Sequence, residues 1–297
     1  MTVRPTRRRF LSISAAALAL PSAAMAATQA RWRGVALGAP AQMILSGVSP
    51  LAARPIFAAL EEELARIERI FSLYRQDSAL VRLNRAGRLD APPSELLEVL
   101  TLAGGIHEAT GGAFDPTVQP LWKALAEGGD ARAAAALIGW QDVRFDAREV
   151  RFNRAGMALT LNGIAQGHAS DRIAALLRAR GLRDVLVDIG EVVALGENPE
   201  GRAWQAGIAA PDGQIVRRIS LADRALATSA PMGTVLPGGQ GHIIGPRGQT
   251  PRHALVSVSA PRAALADGLS TALCLLDAPA GRAALGRFAG TELAFIG

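Results

Sequence analysis

Aromatic residues make up only 4% of the 297-residue chain, with a single Tyr, which excludes a surface that stacks successive bases on aromatic rings. Cys274 is alone, so there is no internal disulfide and no disulfide-stapled scaffold. Beyond the amino terminus no stretch reaches the roughly 18–20 uninterrupted apolar residues of a membrane span, so stable membrane insertion is not expected. The sequence also lacks an HExxH pair, a Walker loop, a GxGxxG turn and a GxSxG nucleophile elbow. The four histidines, His107, His168, His242 and His253, lie too far apart for a local zinc site. The net charge of +6 is unevenly placed: Arg4, Arg7, Arg8 and Arg9 fall in the first 26 residues, where there is no acidic residue. Setting those four aside leaves 28 basic residues against 26 acidic ones, and the case for a nucleic-acid partner loses its main support.

What is present begins with an address. A charged region ending at Arg9, an apolar stretch from Phe10 to Leu20 and the small-residue pattern Ala24-Met25-Ala26 make a secretory signal peptide over residues 1–26. Within it Thr6-Arg7-Arg8-Arg9-Phe10-Leu11-Ser12 resembles a twin-arginine (Tat) export signal, which implies a soluble periplasmic protein that meets the Tat machinery. No Cys follows the cleavage pattern, so lipid anchoring there is excluded.

The body, residues 27–297, is 49% apolar over the whole chain and shows no linker-like stretch, so it reads as one large domain. Ile56, Leu60, Leu64, Ile67 and Phe71 predict one helix, and Ser94 as N-cap with Leu96, Leu97, Leu100 and Ala103 predicts a second, ended by Gly111 and Gly112. Strands are expected at 143–145, 150–152, 158–161, 185–189, 192–195, 204–208, 217–221 and 255–259, with helices over 169–180 and 263–276. Helices and strands mix without regular alternation, which predicts an α+β fold.

The polar and Gly-rich segments fall in a fixed order. They are Phe71 to Ser78 and on to Asn84, Thr110-Gly111-Gly112-Ala113-Phe114-Asp115-Pro116-Thr117, and Asn162-Gly163-Ile164-Ala165-Gln166-Gly167-His168. Val187-Asp188-Ile189-Gly190, Ala227-Thr228-Ser229, His242-Ile243-Ile244-Gly245-Pro246 and Asp267-Gly268-Leu269-Ser270-Thr271 complete the series. Together they resemble the ApbE family of FAD:protein FMN transferases across roughly residues 40–297, and the leader, the Asn-Gly-Ile-Ala-Gln-Gly segment and Asp188-Ile189-Gly190-Glu191 look most like its NosX branch.

The residues can be weighed beside that resemblance. Asp267 and Thr271, four apart on a predicted helix, share one face and offer hard oxygens suited to Mg²⁺, or Asp267 caps its helix and Thr271 packs. Gly163 and Gly167, placed before a helix, let backbone amides approach a diphosphate, or form a tight turn with no ligand. Tyr74 stacks on a ring or belongs to the core, while Ser78 and Asp115 can hydrogen-bond an adenine edge. His242 is a general base or a satisfied loop residue, and His168 reads as structural.

The resemblance chooses among these. It implies Mg²⁺ held by Asp267, Thr271 and the Ala165 carbonyl, FAD held along Tyr74, Ser78, Asp115, Thr117, Gly163, Ile164, Gly167, Thr228, Ser229 and His242, and His242 as the catalytic base. It implies an acceptor flavoprotein carrying a Ser/Thr flavinylation motif, NosR-like and tied to nitrous oxide respiration. Two departures from the family pattern stand out: the carboxylate three residues after the His is replaced by Gly245, and the second Gly of the Val-Asp-Ile-Gly-Gly segment is replaced by Glu191. The first raises the expectation that Gly245→Asp speeds transfer. A non-catalytic FAD carrier and a Mg²⁺-dependent FAD pyrophosphatase remain as alternatives.

Overall fold

The computed structural model describes residues 29–297, so the predicted leader lies outside the described residues. The chain opens with a hairpin, β1 (Gln29–Ala36) and β2 (Ala39–Ser46), then enters α1 (Pro50–Phe71). The Ser49 hydroxyl accepts the Ala52 N–H at 3.2 Å and Pro50 occupies the first turn, where its missing N–H costs nothing. A first lobe follows: α2 (Ala79–Ala86), β3 (Arg88–Asp90), α3 (Ser94–Ala109), α4 (Gln119–Glu127), α5 (Ala131–Ala135), β4 (Val143–Phe145) and β5 (Glu149–Phe152). Its three short strands pair in the order β3-β5-β4.

The second half supplies α6 (Asn162–Ala179), β6 (Val185–Asp188), β7 (Val192–Leu195), β8 (Trp204–Ala209), β9 (Ile215–Leu221), β10 (Arg224–Ser229), β11 (Val256–Ala260), α7 (Ala263–Leu273), α8 (Ala278–Leu285) and β12 (Glu292–Ile296). The main sheet has seven strands in the order β1-β2-β6-β7-β10-β11-β12, every neighbouring pair antiparallel. The fold is α+β.

The sheet is covered on both faces. Val185, Val187, Val193, Ala225 and Val258 pack against α1, α6 and α7, while Leu186, Val192, Ala194 and Leu226 pack under the hairpin β8–β9 with Trp204, Ile208 and Leu221. That is why the central strands read as unbroken apolar runs, VLVD and VVAL, although they are antiparallel. The indole of Trp204 donates to the Leu195 carbonyl at 2.9 Å and so stays satisfied in that second core.

Three boundaries depart from the sequence expectations. Ser94 is the first residue of α3 rather than its cap, because Pro93 stands before it and no side chain caps that end. Residues 158–161 run unpaired with no strand partner: the Asn84 amide clamps Leu159, accepting its N–H at 2.7 Å and donating to its carbonyl at 2.8 Å, and Thr160 N–H goes to the Pro116 carbonyl. The third helix begins at Asn162 instead of 169, so Gly163 and Gly167 lie inside it, with a local kink at Gly163.

The packing of α6 on α7 sets the frame of the molecule. A Cβ on Gly167 would overlap the backbone carbonyl of Ala263, so only Gly permits this approach. Asp171, one turn further along α6, accepts the N–H groups of Ala263 at 2.7 Å and Ala264 at 3.1 Å. The amino end of α7 is therefore capped from a neighbouring helix, its own cap residue Arg262 giving no side-chain bond.

Candidate functional site

A cleft of about 1320 Å³ opens between the two lobes. It exceeds the roughly 300–1,000 Å³ of a drug-sized pocket and has room for an extended dinucleotide. Of the residues singled out above, Tyr74, Asp115, Gly163, Thr228, Ser229, His242, Asp267 and Thr271 line it. They come from segments as far apart as the end of α1 and the middle of α7, brought together by the sheet and the α6–α7 crossing.

One wall is made by α7 and the carboxyl end of β10. Asp267 is only 3% exposed, and its Oδ2 accepts the Gly167 N–H at 3.1 Å. Burial, with repulsion from Asp171, pushes the Asp267 carboxyl up to about 7. Asp267 stands within the helix and does not cap it. One turn on, Thr271 shares a hydroxyl cluster with β10: Ser229 Oγ lies 2.8 Å from Ser270 Oγ and 3.2 Å from Thr271 Oγ1. Thr228 Oγ1 lies 2.8 Å from Ser257 Oγ on β11.

His242 faces the same cleft from the long segment between β10 and β11. Its backbone N–H is shared between the carbonyls of Pro231 and Thr234, both at 3.0 Å, and its Nδ1 lies 3.0 Å from the Pro231 oxygen. A carbonyl oxygen can only accept, so Nδ1 carries the proton and Nε2 keeps its lone pair. Burial holds the imidazole below its ordinary value, the carbonyl contacts pulling the other way. The ring is thus neutral near pH 7, with its free nitrogen available as a base.

At the other end Tyr74 is 52% exposed, so the core reading of this residue fails. Asp115 is nearly filled by its own loop: its Oδ1 accepts the Thr117 N–H at 2.8 Å and the Thr117 hydroxyl at 2.6 Å, and Thr117 Oγ1 accepts from Gly139 N–H. Thr117 thereby ties two loops together behind the wall.

Ser78, Thr117, Ile164, Ala165 and Gly167 do not line the cleft. Ser78 is fully buried, caps α2 by accepting from Val81 N–H, and donates to the Ser72 carbonyl at 2.6 Å. Ile164 is core, Ala165 borders a small void of about 10 Å³ beside Gln166, and the Gly167 amide points at Asp267 rather than outward. His168 is buried against Phe71 with its ring centroid 5.3 Å away, as a structural residue would be.

The sequence analysis assigned no role to Asn162, Gln166 or Glu191, all of which line the cleft. Glu191 had a signal, since it stands where the family pattern expects a Gly.

The structure favours a second outcome for Gly245→Asp, a strained loop and no gain. Its φ is not in the left-handed region, but the space beside it is closed: a Cβ would overlap the Gln249 carbonyl and meet that residue's side chain at 2.6 Å. Gly248 N–H bonds to the Gly245 carbonyl at 2.9 Å and the Gln249 side chain accepts from Arg247 N–H, so the turn folds over this position. Gly245→Asp is expected to cost about 1–3 kcal/mol and to leave transfer no faster. Chemical denaturation with single-turnover labelling checks this, and a folded, faster variant would refute it.

Among the described residues, no helix is long and apolar enough to cross a membrane. No group of three or more His, Cys, Asp or Glu forms a metal cluster, so a cation here would have to be shared with hydroxyl or carbonyl donors.

The ApbE family profile matches residues 37–295. An FAD:protein FMN transferase of Treponema pallidum is 32% identical over 285 residues, covering 82% of this chain and 78% of that one. The Klebsiella pneumoniae protein of the same description is 29% identical over 270 residues, covering 82% and 77%. Among solved structures, the flavin transferase ApbE from Vibrio cholerae superposes with a TM-score of 0.77 at 26% identity, covering 87% of this chain and 90% of that one. The apo flavinyl transferase ApbE of Pseudomonas stutzeri gives 0.73 at 28%, covering 87% of each.

Proposed function

Since the chain belongs to the ApbE family, we propose that it is an FAD:protein FMN transferase that moves FMN from FAD onto a Ser or Thr of an acceptor flavoprotein. The observation that carries this reading is the convergence of His242, Asp267, Thr271, Thr228 and Ser229 on one dinucleotide-sized cleft.

In this reading FAD lies extended, its adenosine end toward Tyr74 and Asp115 and its flavin end toward Thr228 and Ser229. His242 Nε2 accepts the proton of the acceptor hydroxyl as that oxygen attacks the FMN-side phosphorus. The phosphoanhydride bond breaks, AMP departs with the bridging oxygen, and the acceptor carries FMN through a phosphoester.

The donors on the wall fit a small hard cation. Asp267 is anionic when unprotonated, buried and without a cationic side chain acting on it, and Thr271 offers its hydroxyl one turn away. Mg²⁺ would be held by these two and would draw charge from the diphosphate; the Ala165 carbonyl, which the resemblance adds as a third donor, lies inside α6 and off the cleft lining. Gly167 N–H orients the Asp267 carboxylate toward that place.

The test is an incubation of the mature protein with FAD, Mg²⁺ and a motif-bearing acceptor. In-gel flavin fluorescence on the acceptor, with AMP released in equal amount, supports transfer. Free FMN plus AMP, or FAD left unchanged, would overturn it in favour of hydrolysis or carriage.

The finer reading places the protein in the periplasm as a NosX-like factor acting on a NosR-like acceptor. It rests on the twin-arginine pattern and on the Asp188-Ile189-Gly190-Glu191 segment. Changing Arg7 and Arg8 together to Lys is expected to leave the precursor in the cytoplasm, and normal periplasmic accumulation of that variant would refute the export route.

A further inference from the structure

Glu191 is a departure from the family pattern that the reaction described above does not use. It sits just past the turn between β6 and β7, where Gly190 adopts φ +90°, and its side chain joins the same cleft wall as Asp267 and Thr271. Only 5% of it is exposed. Its Oε2 accepts the Thr228 N–H at 3.2 Å, and its other oxygen has no partner among the described residues.

The electrostatics of this wall are unbalanced. Thr228, whose N–H holds Glu191, is followed by Ser229, whose Oγ lies 3.2 Å from Thr271 Oγ1, and among the described residues no Arg, Lys or His pairs with Glu191 or with Asp267. Asp267 likewise has one oxygen held by a backbone N–H, that of Gly167. Two buried carboxyls on the lining of one cleft, with no ion-pair partner among the described residues, are costly as anions unless a proton or a cation neutralises them, and a cation can use both. Hydroxyls of Ser229 and Thr271 stand beside them as further hard donors.

We infer that Glu191 is a second anionic ligand of the divalent cation, so that this chain's site carries two carboxylates, Asp267 and Glu191, where the family pattern leaves a Gly opposite one. The inference rests on the cation reading proposed above. A second carboxylate raises affinity for the free cation before FAD arrives, because the protein supplies the neutralising charge that the diphosphate would otherwise provide. It also makes the loaded wall less positive toward that diphosphate.

Manganous ion is the probe, titrated into FAD-free mature protein and followed by the electron paramagnetic resonance of unbound Mn²⁺. Glu191→Gln is expected to weaken binding by about 10–100-fold, and Asp267→Asn by at least as much. In chelator, Glu191→Gln should melt no lower than wild type, since a neutral amide of the same shape removes a buried anion. Unchanged Mn²⁺ affinity in Glu191→Gln with loss in Asp267→Asn would overturn the inference and leave the cation site standing. No change in either variant would overturn the cation site itself. Weaker binding together with a lower melting temperature in chelator would assign Glu191 a structural role and also overturn the inference.

Discussion

His242→Asn is expected to lower the single-turnover rate of FMN transfer by about 10²–10⁴-fold while leaving FAD affinity within about twofold. Asn retains an N–H that can donate to the Pro231 carbonyl, so the segment that carries position 242 keeps its anchor while the basic nitrogen is lost. The pH profile gives an independent check. Burial lowers the His242 pKa from its model-peptide range, so the imidazole loses its proton at lower pH than an exposed one. Activity should therefore rise with pH through a limb below about 6.5 and then level off. Rate measurements at saturating FAD and acceptor decide the matter. A variant that transfers at the wild-type rate, or a limb displaced above the ordinary histidine range, would exclude His242 as the base.

Gly167→Ala should be the most damaging single-methyl substitution in the α6–α7 interface. The added carbon meets the backbone of Ala263 and Ala264, atoms that cannot move aside unless the two helices separate. Those helices are also joined by Gly167 N–H to Asp267 and by Asp171 to the start of α7, and separation breaks all three bonds together. A loss of about 3 kcal/mol or more is expected, a fall in Tm of roughly 6–12 °C for a domain of this size. Gly163→Ala is the comparison. There the new carbon comes within 3.0 Å of the Thr271 hydroxyl, a side-chain end that can rotate, and the cost should be less than half as large. Thermal denaturation of both variants in chelator tests the pair, and equal stabilities would refute the account.

The elements that could be read from the sequence are those whose own residues settle the matter. β7 was placed at Val192–Leu195 because β-branched and apolar residues fill both faces of a doubly covered strand. α7 was legible because apolar residues recur along it, although its end comes at Leu273 and not at 276. The hairpin β1–β2 was passed over as a Pro- and Gly-containing stretch. Its inward positions are mostly Ala, and the one large residue of β1, Trp32, lies across Gly34. β10 was seen only as a Thr-Ser motif, since Arg-Ala-Leu-Ala has no strand preference, and pairing on both sides by β7 and β11 makes the strand.

The start of α6 shows the opposite error. Two glycines and an Asn read as a loop, yet Gly167 is required inside the helix by the nearness of α7. The candidate site divides in the same way. Helical spacing puts Asp267 and Thr271 on one face, and it is the family resemblance that singles them out, with His242, as site residues. That Ser78 and Thr117 hold loops behind the wall follows only from contacts made across the fold. Glu191 stands out in the sequence as a departure from the pattern, but its place on the cleft wall follows only from the fold.

The cap that Asp171 places on α7 has a further consequence for the cleft. The positive end of that helix already faces the protein's own carboxylate, which takes the first two N–H groups of α7 that an incoming anion would need. What it presents instead are side chains from its middle, Asp267 and Thr271, separated by about one helical pitch of 5.4 Å. The spacing of these two groups is set by a helix that is clamped to a second helix. His242, by contrast, stands on a segment containing Gly233, Gly238, Gly239 and Gly241, where Val235 bridges to Gly241, and it is held by bonds to Pro231 and Thr234. The cleft is thus a stiff floor facing an adjustable rim. In the function proposed above, recognition of the phosphate would fall to the floor and accommodation of the acceptor polypeptide to the rim.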